Sequence, residues 1–403
     1  MKNNAFTLVE LLAVIAILAI IALIAVPIVI NIINDSKEAS AKDSINLYGR
    51  AIENAVADYF VKYPRKNEVT YEELEQEKMI EYKGNKVKCD FIHIADRKVY
   101  LSDCKVNDNE INYYYGPKEK NMLGERTNDD SNIFFINTGI KNSLISNFTI
   151  HTNGKTVPSG YKSKDCSLDQ DRSVVCYWKE DPSNAGYYDM HIAADGEIYT
   201  PYNSASLFKD FGREKLTELN LTGLNTKYTI KMTGMFRNVG YEKMTTLNLG
   251  DKFDTSNVIS MKGMFYGAAS KNLQTINLGD KFDTSNVTDM GMMFSGMGQE
   301  SVNMTELRLG DKFDTSNVTD MEFMFYGLGT ASLNKLYLGK KFILPDDYSI
   351  TPAIFGSCGI QNNTMRVYVA SQTVKDNIKN LPTSGNDVPY LWQEDDNIIV
   401  VQQ

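Results

Sequence analysis

Residues 6–30, FTLVELLAVIAILAIIALIAVPIVI, decide how the rest of the chain is read. From Leu11 to Ile30 no residue is charged. A helix rises about 1.5 Å per residue, so a run of this length spans a bilayer core of roughly 30 Å. Glu10 stands just before the run, behind the polar leader Met1-Lys2-Asn3-Asn4-Ala5. A secretory signal has a basic start, an apolar stretch of about 7–15 residues and a small-x-small cleavage site. Here the leader holds a single Lys, the run is longer, and no clear site precedes Asn31. A plain anchor fits the length but leaves Glu10 unexplained. A carboxylate in a membrane helix costs about 2.5–3.5 kcal/mol near the centre, less near an end, and marks a functional position.

Working outward, residues 6–33 read as the apolar helix and 34–63 as its amphipathic continuation. Ile45, Tyr48, Ile52, Val56 and Tyr59 recur every three or four residues, a stripe that wants a globular partner. Pro27 should bend this stem and Pro64 should end it. Residues 64–118 read as a small antiparallel β head with a short helix over 70–82 and strands at 87–92, 98–101 and 110–115. Residues 119–212 read as a second, mainly β module. It has strands at 173–178 and 187–192, and a turn over 194–197 leading to Ile198-Tyr199.

The outer half repeats. Leu247-Asn248-Leu249-Gly250-Asp251-Lys252-Phe253-Asp254-Thr255-Ser256-Asn257-Val258 returns from Ile276 to Val287 and from Leu307 to Val318. Decayed units begin at Leu219 and Leu336. Such periodicity is the mark of a stacked array. In each unit Leu-x-Leu is expected to turn two side chains into a core, so Leu249, Leu278 and Leu309 are core residues with Phe253, Phe282 and Phe313. Gly-Asp makes a turn, and Asp-Thr-Ser-Asn offers side chains to nearby backbone groups. The pairs Met261/Met264, Met290/Met293 and Met321/Met324, each followed by Phe265, Phe294 or Phe325, have the spacing of a short helical face. Asp254, Asp283 and Asp314 are expected to cap turns, with calcium as the alternative. An array spans 213–392, with a cap at each end, and 393–403 is a tail in which Asn397-Ile398-Ile399-Val400-Val401 offers one more strand.

The net charge of −9 and pI near 5.1 argue against a nucleic-acid surface. Five cysteines suit an oxidising compartment, where proximity in sequence favours Cys89–Cys104 and Cys166–Cys176 and leaves Cys358 over. A closed loop of about 15 residues is worth roughly 3 kcal/mol in the chain-entropy account. No C-x-x-C pair, phosphate loop or G-x-S-x-G sequence is present, so no cofactor, metal or enzymatic activity is expected. His191 reads as a packed or surface imidazole; His93 and His151 have no evident partners.

Phe6-Thr7-Leu8-Val9-Glu10-Leu11-Leu12 and Pro27 resemble a type IV pilin or pseudopilin, and the resemblance covers the N-terminal helix. It implies cleavage between Ala5 and Phe6 by a prepilin peptidase, N-methylation of Phe6, and a pairing of Glu10 with the N-terminal amine of a neighbouring subunit. Ala5 departs from the Gly usual before the cut. The layout of the β head resembles Gram-positive pilin heads. The D-T-S-N-V-x-x-M-x-x-M-F sequence, from Asp254 to Phe265 and its two echoes, resembles BspA-like, leucine-rich-repeat-related surface proteins. Together these imply an α+β chain: a long pilin helix with a small β head, a mainly β module, then a leucine-rich-repeat-like α/β solenoid. The implied protein is a single-pass membrane protein of a Gram-positive bacterium, with its C-terminal part at the cell surface or in a pilus. Its partners would be other pilin subunits, the peptidase and assembly machinery, the membrane, and an extracellular protein or glycan to which it adheres. The alternatives are a pseudopilin of a DNA-uptake or secretion machine and a monomeric tethered surface protein.

Overall fold

A computed structural model of the chain describes residues 8–95, 97–111, 113, 115–117, 119–124, 138–344, 353–359, 365–381 and 397–401, and of residues 8–28, 31, 90, 91 and 103 the backbone alone. It is mixed α and β, with one long helix and many small sheets. It divides into two compact units, Met1–Pro117 and Lys118–Gln403.

In the first unit α1 (Leu8–Lys62) passes Pro27 without a break. Its stripe of Ile45, Tyr48, Ile52, Val56 and Tyr59 is buried. It shares a core with Leu74, Val99, Leu101, Cys104 and Val106. The helix also binds its head through polar groups: the Tyr113 hydroxyl donates to Asn46 Oδ1 at 2.9 Å and that of Tyr115 to Glu53 at 2.8 Å. The second helix, α2 (Tyr71–Gln76), is shorter than the spacing suggests. Thr70 and Glu73 form a reciprocal cap at its start. At its end Lys78 takes a φ of +54°, and Met79 N–H reaches back to the Leu74 carbonyl while Lys78 N–H reaches Glu75. This paired left-handed stop satisfies the last carbonyls, so the helix closes before residue 82. Strands β1 (Val87–Ala95), β2 (Lys98–Val106) and β3 (Asn109–Ile111) form an antiparallel meander. Cys89 and Cys104 face each other across β1 and β2 and are disulfide-bonded. Of the expected third strand over 110–115, the described residues place Glu110 and Ile111 in β3, and Tyr115 bridges back to Leu101.

The second unit opens with a four-stranded sheet, order β4-β7-β6-β5, from β4 (Ile145–His151), β5 (Lys162–Asp165), β6 (Val174–Glu180) and β7 (Tyr188–Ala194). Cys166 and Cys176 are disulfide-bonded here. The chain does not return on β7 after the turn at 194–197. Instead β8 (Ile198–Tyr199) pairs in parallel with β10 (Leu224–Asn225). Sheet and array share one buried core running from Leu123 to Ile398, so the two regions are not separately packed.

The repeats stack through short parallel strands. β9 (Glu218–Asn220), β11 (Thr246–Asn248) and β12 (Thr275–Asn277) form one ladder. β13 (Glu306–Arg308), β14 (Lys335–Tyr337), β15 (Arg366–Val369) and β16 (Ile398–Val400) form a second. The stretch assigned to a tail thus supplies the last strand, and α3 (Gln372–Lys379) precedes it. Among the described residues β12 and β13 are not paired. Two extra residues separate Phe294 from Leu307, compared with Phe265 from Ile276, and Val302 among them is 74% exposed.

The Met-Phe segments are not helical. They are ribbons of turns in which every unit repeats left-handed residues, Met292 at φ +57° and Phe323 at +54° among them. Each ribbon closes three-residue bonds within itself, such as Met264 N–H to the Met261 carbonyl at 3.0 Å. The left-handed residues turn alternate N–H groups along the stack: Gly263, Phe265 and Gly267 donate to the carbonyls of Gly291, Met293 and Ser295 in the next unit. Within each unit these spacings match a helix's i+3 contacts, but half the backbone bonds run between units. The same segment at 204–210 bonds Lys231, Thr233, Met235 and Arg237, so the array starts one unit before the decayed repeat at Leu219.

Phenylalanine rings form the axis of the core. Phe208, Phe236, Phe265, Phe294, Phe325 and Phe355 stack with centroids 5.2–5.6 Å apart and planes within 9° of parallel. Phe253, Phe282, Phe313 and Phe342 lean against this column at 6.0–6.4 Å. The methionines 261, 264, 290, 293, 321 and 324 and leucines 249, 278 and 309 are buried around it. A second ladder is polar. Thr255, Thr284 and Thr315 each donate a hydroxyl at 2.7 Å to the carbonyl of Asp283, Asp314 and Ile343 in the next unit. Asp254, Asp283 and Asp314 use a carboxylate oxygen to hold their own turns, accepting from Ser256, Ser285 and Ser316.

Candidate functional site

The residues singled out from the sequence fall in separate places. Ala5 and Phe6 lie outside the described residues. Glu10 and Pro27 belong to the backbone of α1. Among the described residues, which leave out the side chains of 8–28, no helix is long and apolar enough to cross a membrane. The large apolar side chains described at the end of the apolar run and just past it, Val29, Ile30, Ile32 and Ile33, are 47–62% exposed. Four large apolar groups within five residues of one helix form a surface that wants a partner.

Two constellations were not legible. The first lies on the face of the β4-β7-β6-β5 sheet. His151 Nε2 and His191 Nδ1 are 3.1 Å apart, His191 Nε2 is 3.1 Å from Asp189, and the Tyr161 hydroxyl donates to the same carboxylate at 3.1 Å. Tyr177 stacks under His191 at 4.7 Å. The two histidines are 40 residues apart and meet because β4 and β7 pair in parallel. Burial, and then the facing His191, lower the His151 pKa, against an opposing pull from Asp189. An imidazole with a lowered folded pKa resists the proton that the unfolded chain accepts near about pH 6.5. Stability from this group is therefore full above that pH and lost below it. Melting temperature should fall from about pH 7.5 to 5.5, and the slope should flatten in His151→Gln, as differential scanning calorimetry would read. Carboxylates held low, such as Asp181, lose their contribution only at more acid pH, so the comparison isolates the imidazole.

The second constellation lies on the outward strand face of the array. The middle residue of each Leu-x-Leu forms a row. Asn220, Asn248 and Asn277 build an amide ladder, with bonds of 3.3 and 3.1 Å. Beyond the unpaired junction the row changes chemistry. Arg308 lies 3.7 Å from the centre of the Tyr337 ring, and Tyr337 stacks on Tyr368 at 4.2 Å and 10°. A cleft of about 200 Å³ opens beside these three residues.

Comparison with known proteins finds a match in two separate parts of the chain. Residues 1–26 match the prokaryotic N-terminal methylation motif. That match supports a pilin-like surface or secretion-system protein, membrane-anchored or at the surface, associating with other such subunits and a processing peptidase. Residues 229–337, the centre of the array, match a domain described as "Mycoplasma protein of unknown function, DUF285". A BspA-like relationship and a Gram-positive source find no support there. No curated protein and no solved structure matches the chain.

Proposed function

We propose that the chain is a type IV pilin-like subunit whose array, a BspA-like, leucine-rich-repeat-like solenoid, serves adhesion outside the cell. One observation carries this reading: the methylation motif over residues 1–26 runs directly into a helix of 55 residues whose distal half carries the head. In this reading a prepilin peptidase cuts between Ala5 and Phe6 and methylates Phe6. Glu10 then meets the Phe6 amine of a neighbouring subunit. In an apolar bundle each group keeps the other charged, and removing one leaves a buried charge unpaired. The array acts as a binder and not as an enzyme, since stacked repeats offer extended surfaces.

Mass spectrometry of the N-terminal peptide from material sheared off cells tests this. A methylated Phe6 in the sheared fraction is expected. An intact Met1 confined to the membrane pellet overturns it in favour of a tethered surface protein. Glu10→Lys should abolish the sheared fraction while leaving the chain in the membrane.

A further inference from the structure

We infer that the cleft beside Arg308, Tyr337 and Tyr368 binds a single saccharide unit, as at the end or branch of a glycan. The reading rests on the proposed extracellular role for where such a ligand is met.

The turn glycines of the array close on one another, except at the unpaired junction. At Gly279 an added Cβ would sit 2.5 Å from the Gly250 carbonyl oxygen, and at Gly339 it would press on that of Gly310. At Gly310, the equivalent position beyond the unpaired junction, it would meet nothing within 4 Å. Gly310 lines the cleft. Gly310 therefore has open space toward the junction, while the cleft lies over the paired strands beyond it, where the row carries Arg308, Tyr337 and Tyr368.

The lining identifies the ligand class. Arg308 pairs with Glu306, and Lys340 with Asp311 at 3.3 Å. Each cation beside the cleft already has a carboxylate partner, which weakens its pull on a phosphate or sulfate. The volume is below the roughly 300–1,000 Å³ of sites for larger ligands, which leaves room for one ring and not for a folded peptide. Arg308 and Tyr368 cover Tyr337 on either side, so the phenols turn their edges and hydroxyls outward. The lining offers donors and acceptors side by side: guanidinium, phenol, ammonium and carboxylate. A neutral polyol ring takes both kinds of hydrogen bond, and paired bonds at a rigid aromatic edge give it orientation.

The test uses the full chain in a detergent without sugar groups, passed over beads carrying galactose, mannose or N-acetylglucosamine. Retention on at least one sugar, with elution by the same free sugar, is expected. Retention should fall at least about tenfold in Tyr337→Ala and Tyr368→Ala and stay unchanged in Thr275→Ala, outside the cleft. Asp311→Asn keeps the fold in case a tyrosine variant loses it, and should also lose retention. Failure on all three sugars, elution by salt alone, or retention unchanged in the cleft variants would overturn the assignment. None of these outcomes touches the pilin-like reading, which the N-terminal peptide decides separately.

Discussion

Replacing Phe294 by alanine is expected to lower stability by about 3–5 kcal/mol, the largest effect of any single truncation in the array. Phe294 is fully buried, stacked on Phe265 at 5.4 Å and on Phe325 at 5.6 Å, with Phe313 leaning on it at 6.3 Å. Truncation removes its own transfer energy and also empties a slot that neighbours cannot close. Their positions are fixed by ribbons bonded on both sides, as Phe294 N–H is to the Met324 carbonyl at 2.8 Å. In a stacked array each unit draws its stability from its neighbours, so the loss is shared with the units on either side. Thermal unfolding of the full chain should show the drop. Phe294→Leu should recover part of it, and an equal loss in both variants would contradict the packing account.

Gly279→Ala should cost about 2–4 kcal/mol although it adds one methyl group. The backbone there has φ +80°, where a side chain is strained by roughly 1–2 kcal/mol, and the new Cβ would strike the Gly250 carbonyl oxygen. That oxygen belongs to the preceding turn and cannot step aside without moving the strand. Gly310→Ala shares the strain, at φ +85°, but meets no neighbour, and should cost about half as much. The difference between the two variants, read by the same melting experiment, measures contact apart from backbone strain.

What the sequence made legible was local. The stem stripe from Ile45 to Tyr59 and the Leu-x-Leu strands follow from side-chain direction along a helix or strand, and both disulfides join residues near in sequence. What escaped depends on contacts across the stack. Met261-x-x-Met264-Phe265 has helical spacing because turn bonds also link i and i+3. The first left-handed residue that diverts the ribbon is Met292 or Phe323 in two of the repeats, where no Gly signals it. The unit at 204–210 keeps almost none of the repeat's letters and is recognised by its bonds alone. Neither the His151–His191 contact nor the change from the Asn ladder to Arg308-Tyr337-Tyr368 has a local signal, since both arise where distant strands align.

The unpaired junction between β12 and β13 sets where the array yields under load. On either side of it, strands, ribbons and threonine bonds share tension along the stacking axis. At the junction the strand ladder drops out, and the load passes to the ribbon and turn bonds, among them those from Met290 to Asp320 and from Phe294 to Met324 and the Thr284 hydroxyl on the Asp314 carbonyl. A surface protein dragged by flow would part along this line first, as paper tears along a perforation. The backbone stays continuous across the gap, so opening there leaves two bonded blocks joined by one stretch of chain and not a string of single repeats.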